Sequence, residues 1–405
     1  MAPSEDADAA LSDPLTEETT ATKRQRLNSS TETLSSLTSP SSSSSSTIPT
    51  LPFEIVAEIL SRLPVKYLMQ LQSVCKSWKS LISDPKFIKK HLHVSTTRLH
   101  LVLAFANSSR KFALSAYPLS SFFTDVTSTA TQLDYPLNNR IRNLFDLIVG
   151  SCHGILCFAL DQRFALLWNP SIKKFTKSPS LDNPKRDGSY TIYGFGYDHV
   201  NDIYKVVAVY CFESDNGDYK TQVKVHTLGT NFWRRIHDLP FGVPFDESGK
   251  FVSGTVNWLA SNDSSYTSSI IVSLDLEKET YQELLQPDYG AKAVNVVTKT
   301  LAVLRDRMCI LAHSHTFFDV WLMEEYGNRE TWTKLFRVPY IGNVGRCPYT
   351  NALYVTEDDQ VLLENQFELV VYNSRDGTSK TLEFPNIKGW MVLEVYQESL
   401  ISPCS

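Results

Sequence analysis

One pattern recurs five times between residues 165 and 384: a strand-like run of apolar and β-branched residues, a polar turn, and a second run carrying an aromatic or basic side chain. The copies cover residues 165–177, 223–236, 271–285, 319–336 and 369–384, so successive starts lie 58, 48, 48 and 50 residues apart. A weaker copy begins near Lys111. Between the hairpins lie further strand-like runs, among them residues 193–197, 205–209 and 254–259. A unit of about 50 residues with about four short strands has the size of one β-propeller blade, and the chain beyond residue 96 holds about six of them. Closing the ring also protects strand edges that an open sheet leaves exposed. A solenoid or a sandwich built from the same strands is the alternative.

Ahead of the repeats, residues 51–92 change period from two to that of a helix. Ile55, Val56, Ile59, Leu60 and Leu63 form one apolar stripe behind Pro52, with Glu54 and Glu58 near the positive end of the helix dipole. Pro64 ends that helix. A second begins at Val65 with Leu68 and Leu71, and a third carries Val74, Cys75, Trp78, Leu81 and Ile82 up to Asp84-Pro85. Phe87, Ile88 and Leu92 suggest a last turn or two. Three helices in so short a stretch cannot bury their apolar faces on one another alone, and domains this small need disulfides, a metal or a partner. With one cysteine and no ligand cluster in the stretch, a protein partner is the expected solution. Seven basic residues against three acidic ones give residues 51–92 a charge of +4, which favours an acidic partner.

The stretch resembles an F-box in its plant form. The residues that carry the resemblance are Leu51-Pro52, Glu54-Ile55, Ile59-Leu60, Arg62-Leu63-Pro64-Val65-Lys66, Leu68, Val74-Cys75-Lys76-Ser77-Trp78 and Leu81-Ile82-Ser83-Asp84-Pro85 with Phe87. The resemblance implies docking on the Skp-type adaptor of cullin–RING ubiquitin ligases. It places Leu51, Pro52, Ile55, Leu63, Pro64 and Val65 against the adaptor, with Trp78 and Leu81 shaping the rest of the contact. Leu60, Leu68 and Val74 complete the implied adaptor-binding set.

The repeat region is likewise similar to the F-box-associated, kelch-like domains of plant F-box proteins. The matching pieces are Gly150-Ser151-Cys152-His153-Gly154-Ile155-Leu156-Cys157, Trp168-Asn169-Pro170-Ser171, Gly194-Phe195-Gly196-Tyr197-Asp198, Tyr204-Lys205-Val206-Val207, Gly254-Thr255-Val256-Asn257-Trp258-Leu259 and Trp332-Thr333-Lys334-Leu335. The double glycine of a strict kelch repeat is missing. Domains of this family present substrates for ubiquitination.

Composition sets the remaining limits. The chain is 42% apolar and 20% charged with a net charge of −5, which argues against nucleic acid as a partner. No apolar run approaches the ~18 residues that span a membrane, and the acidic N-terminus does not read as a secretory signal. Seven cysteines without framework spacing fit a reducing compartment, cytoplasm or nucleus. Residues 1–49 are rich in Ser and Thr and low in apolar content, so disorder is expected there. Within them Lys23-Arg24-Gln25-Arg26 reads as a weak nuclear signal, and residues 41–46 as either a phosphorylation target or a linker.

Several patterns invite a chemical reading. Gly150-Ser151-Cys152-His153-Gly154 has the spacing of a nucleophile elbow, but that device needs a helix after it, and residues 155–159 read as a strand. Cys152 and Cys157 lack the second ligand pair of a zinc site and read as core thiols. His313 and His315 read as a surface or pore-lining pair, and Glu324-Glu325 and Asp358-Asp359 as solvated turns. Trp168, Trp233, Trp258, Trp321, Trp332 and Trp390 read as blade core. No P-loop, dinucleotide fingerprint or HExxH is present. Substrate contacts are expected from loops at one end of the propeller, with residues 182–190, 214–220 and 240–249 as candidates.

The expected protein is thus α+β and multidomain: a disordered tail (1–49), a small three-helix F-box (50–95) and an all-β propeller-like domain of about six blades (96–398). It is expected to bind the Skp-type adaptor, to reach cullin and RING subunits through it, and to hold an unidentified protein substrate. No catalytic residue, metal or cofactor is expected. The rivals are an F-box scaffold outside any ligase and, further off, a propeller enzyme.

Overall fold

The computed structural model describes residues 51–404 except 96–97, 107–111, 125–129, 138–146, 185, 246–247, 262–268, 291–295, 341–349, 366–367, 383 and 385–390. The expectations for the N-terminal tail, its basic cluster and its serine run, and for Trp390, lie outside the described residues. No helix among the described residues is long and apolar enough to cross a membrane.

Six antiparallel sheets follow the helices. Blade 1 joins the C-terminal strand Met391–Gln397 to Leu99–Ala106, Phe112–Pro118 and Thr131–Leu133. Blade 2 is Leu147–Cys152, Ile155–Leu160, Phe164–Asn169 and Lys174–Lys177, and blade 3 is Tyr190–Asp198, Ile203–Glu213, Tyr219–Thr227 and Arg234–Arg235. Blade 4 has a broken inner strand, Val243–Pro244 and Lys250–Val252, beside Thr255–Ser261, Ser269–Asp275 and Tyr281–Leu284. Blade 5 is Thr298–Leu304, Arg307–His313, Phe317–Met323 and Trp332–Pro339; blade 6 is Thr350–Val355, Gln360–Asn365, Glu368–Asn373 and Ser379–Leu382. The five clear repeats of the sequence are the third and fourth strands of blades 2 to 6. In the weak first copy a short 3-10 helix, Leu119–Phe123, stands where the hairpin turn was expected.

The inner strands touch in sequence around the ring, and the last touches the first. One hydrophobic cluster lies between each neighbouring pair of blades. This explains why the middle strands do not alternate apolar with polar. In the fully buried strand Ile155–Leu160, Ile155, Cys157 and Ala159 face blade 3 while Leu156, Phe158 and Leu160 face blade 1. A sheet sandwiched on both sides needs apolar side chains at every position, whereas the outer strand Lys174–Lys177 is largely exposed.

The N-terminal module contains four helices rather than three: α1 (Phe53–Ser61), α2 (Val65–Leu71), α3 (Lys76–Ile82) and α4 (Pro85–Val94). The expected last turn or two is a ten-residue helix, because Pro85 sits in its first turn and the Asp84 carboxylate accepts from the Lys86 and Phe87 amides at 2.8 and 3.1 Å. The expectation that an outside partner completes the helical core needs correction. Leu60, Val65, Leu68, Ile82 and Phe87 form one buried cluster with Leu400, and Ile172 packs against it. Both added residues come from the propeller end of the same chain.

Candidate functional site

The apolar stripe expected on the first helix divides in two. Leu60 is 2% exposed, and Val56 and Leu63 turn inward with it; Ile55 (47%) and Ile59 (49%) point to solvent, as does Leu51 ahead of the helix. The two sets are displaced by one residue, which on a helix is enough to separate an inner from an outer face. Eight of the fourteen exposed large apolar side chains among the described residues fall within residues 51–94: Leu51, Phe53, Ile55, Ile59, Tyr67, Met69, Val74 and Val94. An apolar surface concentrated on so short a stretch marks a protein-binding face.

Of the residues expected to meet the adaptor, Leu51, Pro52, Ile55 and Val74 are exposed, and Leu63, Pro64, Trp78 and Leu81 are half-buried. Leu60, Val65 and Leu68 are closed off from solvent at 2%, 0% and 0%, so the structure corrects their placement: they support the face from beneath. Reasoning from the sequence missed Phe53, Ile59, Tyr67 and Met69. For Ile59 the signal was present in its four-residue spacing from Ile55. Lys66, Lys76, Lys79 and Lys86 are exposed around the same helices. Glu58 accepts from both Lys90 and Arg62, and Lys90 and then Arg62 hold its carboxyl below the ordinary value. That pairing leaves the module's surface predominantly basic.

Beneath the helices lies a polar junction with the propeller. The Arg98 guanidinium donates to the Leu63 carbonyl at 2.8 Å and to the Arg62 carbonyl, closing the α1–α2 turn. The Gln397 amide donates to the Leu92 carbonyl at 2.7 Å, and Lys89 pairs with Asp202 at 2.6 Å. Glu398 lies 3.3 Å from His100. Burial pushes the Glu398 carboxyl up, but His100, the Val65 amide and Arg98 more than offset this, so its pKa falls below the ordinary 4.5. A depressed carboxyl contributes stability above its unfolded pKa and loses it as pH falls through the lower folded value. Glu398→Gln is therefore expected to lower the urea midpoint at pH 7. The gap from wild type should narrow as the pH is taken below 4.5, in unfolding curves followed by tryptophan fluorescence.

The residues that invited a chemical reading occupy core positions, turns and ion pairs. Cys152 and Cys157 are buried, and burial pushes both thiols far up. His153-Gly154 forms the hairpin turn between the first two strands of blade 2, both residues at positive φ. A Cβ at Gly154 would lie 2.4 Å from Ser399 Oγ. His313 is neither on the surface nor in a pore. It is 2% exposed, within 3.2 Å of Thr300 Oγ1 and 3.0 Å of the Tyr340 hydroxyl, and burial lowers its pKa to about 4. Glu324 pairs with Arg307, and Asp359 with Arg375 at 3.2 Å. Among the described residues no group of three or more His, Cys, Asp or Glu is placed to hold a metal.

Two of the three candidate substrate loops, 182–190 and 214–220, share the other end of the ring. The helices touch turns between first and second or third and fourth strands, as Asp202 and Ile172 show. In antiparallel blades the remaining connections emerge at the opposite end, and these include the candidate loops within 182–190 and 214–220; of 240–249 only the first residues lead in from that end, because Val243–Pro244 belongs to the inner strand of blade 4 and Gly249 is buried against Trp258. Their described parts are well anchored. The Tyr210 hydroxyl donates to the Pro184 carbonyl at 2.6 Å, Arg186 lies over the Phe212 ring at 4.6 Å, and the Gly217 amide donates to the Ser214 carbonyl at 2.9 Å. Residues 185 and 246–247 lie outside the described set.

Comparison with known proteins agrees with this arrangement. Residues 48–90 match the F-box domain, and residues 109–403 match the F-box associated beta propeller domain. An F-box/kelch-repeat protein of Arabidopsis thaliana is 32% identical over 87% of this chain and 96% of its own length. The Arabidopsis F-box protein CPR1 is 28% identical, covering 88% of this chain and 89% of the relative. Among solved structures, the β-propeller domain of Cps50 (Swd1) from Myceliophteria thermophila covers 71% of this chain and 87% of its own at 12% identity and a TM-score of 0.38, too low to carry an argument.

Proposed function

Because the chain belongs to the F-box proteins that carry an F-box-associated β-propeller, we propose that it is the substrate-recognition subunit of a cullin–RING ubiquitin ligase. The F-box implies binding of a Skp-type adaptor. In this reading the adaptor brings the cullin and RING subunits, the far end of the propeller holds a protein substrate, and the substrate is ubiquitinated and degraded. The observation that carries it is the concentration of exposed apolar side chains on the basic helical module, with its own core already satisfied beneath. A face that is apolar on both sides of a helix has a reason to stay exposed only if something else covers it.

The mechanism is proximity. Binding two proteins to different parts of one chain raises their effective concentration toward each other, and no residue of this chain need form or break a bond. The buried, high-pKa thiol of Cys152 agrees with a non-catalytic role. Cytoplasm or nucleus is the setting this function requires.

Co-expression of the full chain with the adaptor, cullin and RING subunits tests the reading. All four are expected to co-purify. Recovery of the adaptor without cullin would favour a scaffold outside the ligase, and an activity abolished by Cys152→Ala would favour an enzyme. Leu63→Ala with Pro64→Ala is expected to weaken adaptor capture by a few kcal/mol, as loss of interface anchors does. Leu63 also packs against the buried cluster, so that loss includes a folding contribution.

A further inference from the structure

The last residues of the chain run across two of its cores. Immediately after the ring-closing strand Met391–Gln397, Glu398 N donates to the Arg98 carbonyl at 3.1 Å. Ser399, fully buried, donates to the His153 carbonyl at 2.6 Å. Asn169 Nδ2 donates to the Ser399 and Ile401 carbonyls at 3.0 and 2.8 Å, and to Ser399 Oγ at 3.0 Å. Ile401 packs against the core between blades 2 and 3. Between these anchors Leu400, 6% exposed, enters the cluster of Leu60, Val65, Leu68, Ile82 and Phe87 under the docking helices. Gly154 leaves the room this path needs.

We infer that residues 398–401 are a strap through which closure of the propeller completes the docking module, so that the adaptor-binding face forms only on a chain whose ring is closed. The inference rests on the adaptor reading above and goes beyond it. The helices are near the start of the chain and the side chain that fills their core is near its end, directly behind the strand that pairs with Leu99–Ala106 to shut the ring. A chain lacking its substrate platform therefore also lacks a finished docking face and does not occupy an adaptor. Leu400 acts as a positioning residue: it supports Leu60, Val65 and Leu68, which in turn carry the exposed Ile55, Ile59 and Tyr67.

Hydrogen exchange and adaptor titration on the full chain test the strap. Leu400→Ala is expected to speed amide exchange in α1–α4 by at least ~30-fold through local opening, with blade 5 strands unchanged, and to weaken adaptor binding ~10-fold or more. Leu400→Met, which refills the volume, is expected to restore both. Asn169→Ala, which removes the Asn169 hydrogen bonds to Ser399 and Ile401 and also frees the Ser171 amide beside Ile172, is expected to shift both readouts in the same direction as Leu400→Ala, by less. The inference is overturned if the helices of Leu400→Ala exchange as in wild type. It is equally overturned if they loosen together with blade 5, or loosen while adaptor affinity holds. Should the wild type bind no adaptor, the ligase reading fails by itself, and the exchange comparison still decides whether the strap completes the helical core.

Discussion

Changing Ile55 and Ile59 together to aspartate is expected to abolish adaptor capture while leaving the thermal midpoint of the chain close to that of wild type. Both side chains are about half exposed and belong to no core cluster, so charging them removes little from the folded state. In a complex the same atoms are desolvated, and burying an unpaired carboxylate is costly. Truncating a central apolar anchor commonly costs ~2–4 kcal/mol, and two introduced charges exceed that. Calorimetric titration of purified adaptor into the double variant measures the loss. Retention of wild-type affinity would show that the adaptor uses another face. The control is Leu68→Ala, fully buried in the same module, which is expected to lower stability by about 2–5 kcal/mol. The two variants separate face from foundation, which substitution of Leu63 and Pro64 cannot do.

Trp258→Ala is expected to be among the most destabilising single changes in the propeller, at about 3–5 kcal/mol. The ring is 2% exposed in the core between blades 3 and 4. What surrounds it makes the cavity hard to close. A Cβ at Gly194 would lie 2.9 Å from Trp258 Cζ2, and one at Gly249 would lie 2.5 Å from Cε2, so two backbones already press directly on the ring. The Gly249 amide donates to the Tyr193 carbonyl at 2.7 Å, which fixes the chain beside it. With no side chain on either glycine to move into the hole, relaxation is small. The same geometry predicts the opposite fault for Gly194→Ala, where a methyl would overlap Val256 and Trp258 and cost about 1–3 kcal/mol. The double variant is therefore expected to be less destabilised than the sum of its parts, because the added methyl occupies part of the vacated space. Urea midpoints of the four proteins provide the check, and strict additivity would refute the packing argument.

The propeller was legible because its information is local and repeated. Each blade writes its own hairpin into the sequence, as in Trp168-Asn169 followed by Lys174–Lys177, and the spacing of those hairpins gave the blade number. The helices were legible for a similar reason, since Pro64 and Asp84-Pro85 punctuate them whatever surrounds them. Two readings failed where a pattern had to be assigned a direction. The stripe on α1 was a true helical pattern, but which of two adjacent residues faces inward depends on what lies beneath. Pairing of His313 with His315 suggested an open site, whereas Thr300 and Tyr340, brought in from other segments, enclose the first of them.

By itself the chain marked a helical module broken at Pro64 and at Asp84-Pro85, followed by strands repeated about every 50 residues. It also determined that the short basic module carries more apolar surface than three small helices can bury on one another. Only the tertiary structure decided where that surface goes. Leu400 closes one side of it from more than 300 residues away, and Ile55 and Ile59 leave the other side open. Periodicity is written by neighbours a few positions apart. A contact such as Asn169 with Ser399, separated by 230 residues, leaves no periodic trace and exists only once the ring has brought its two ends together.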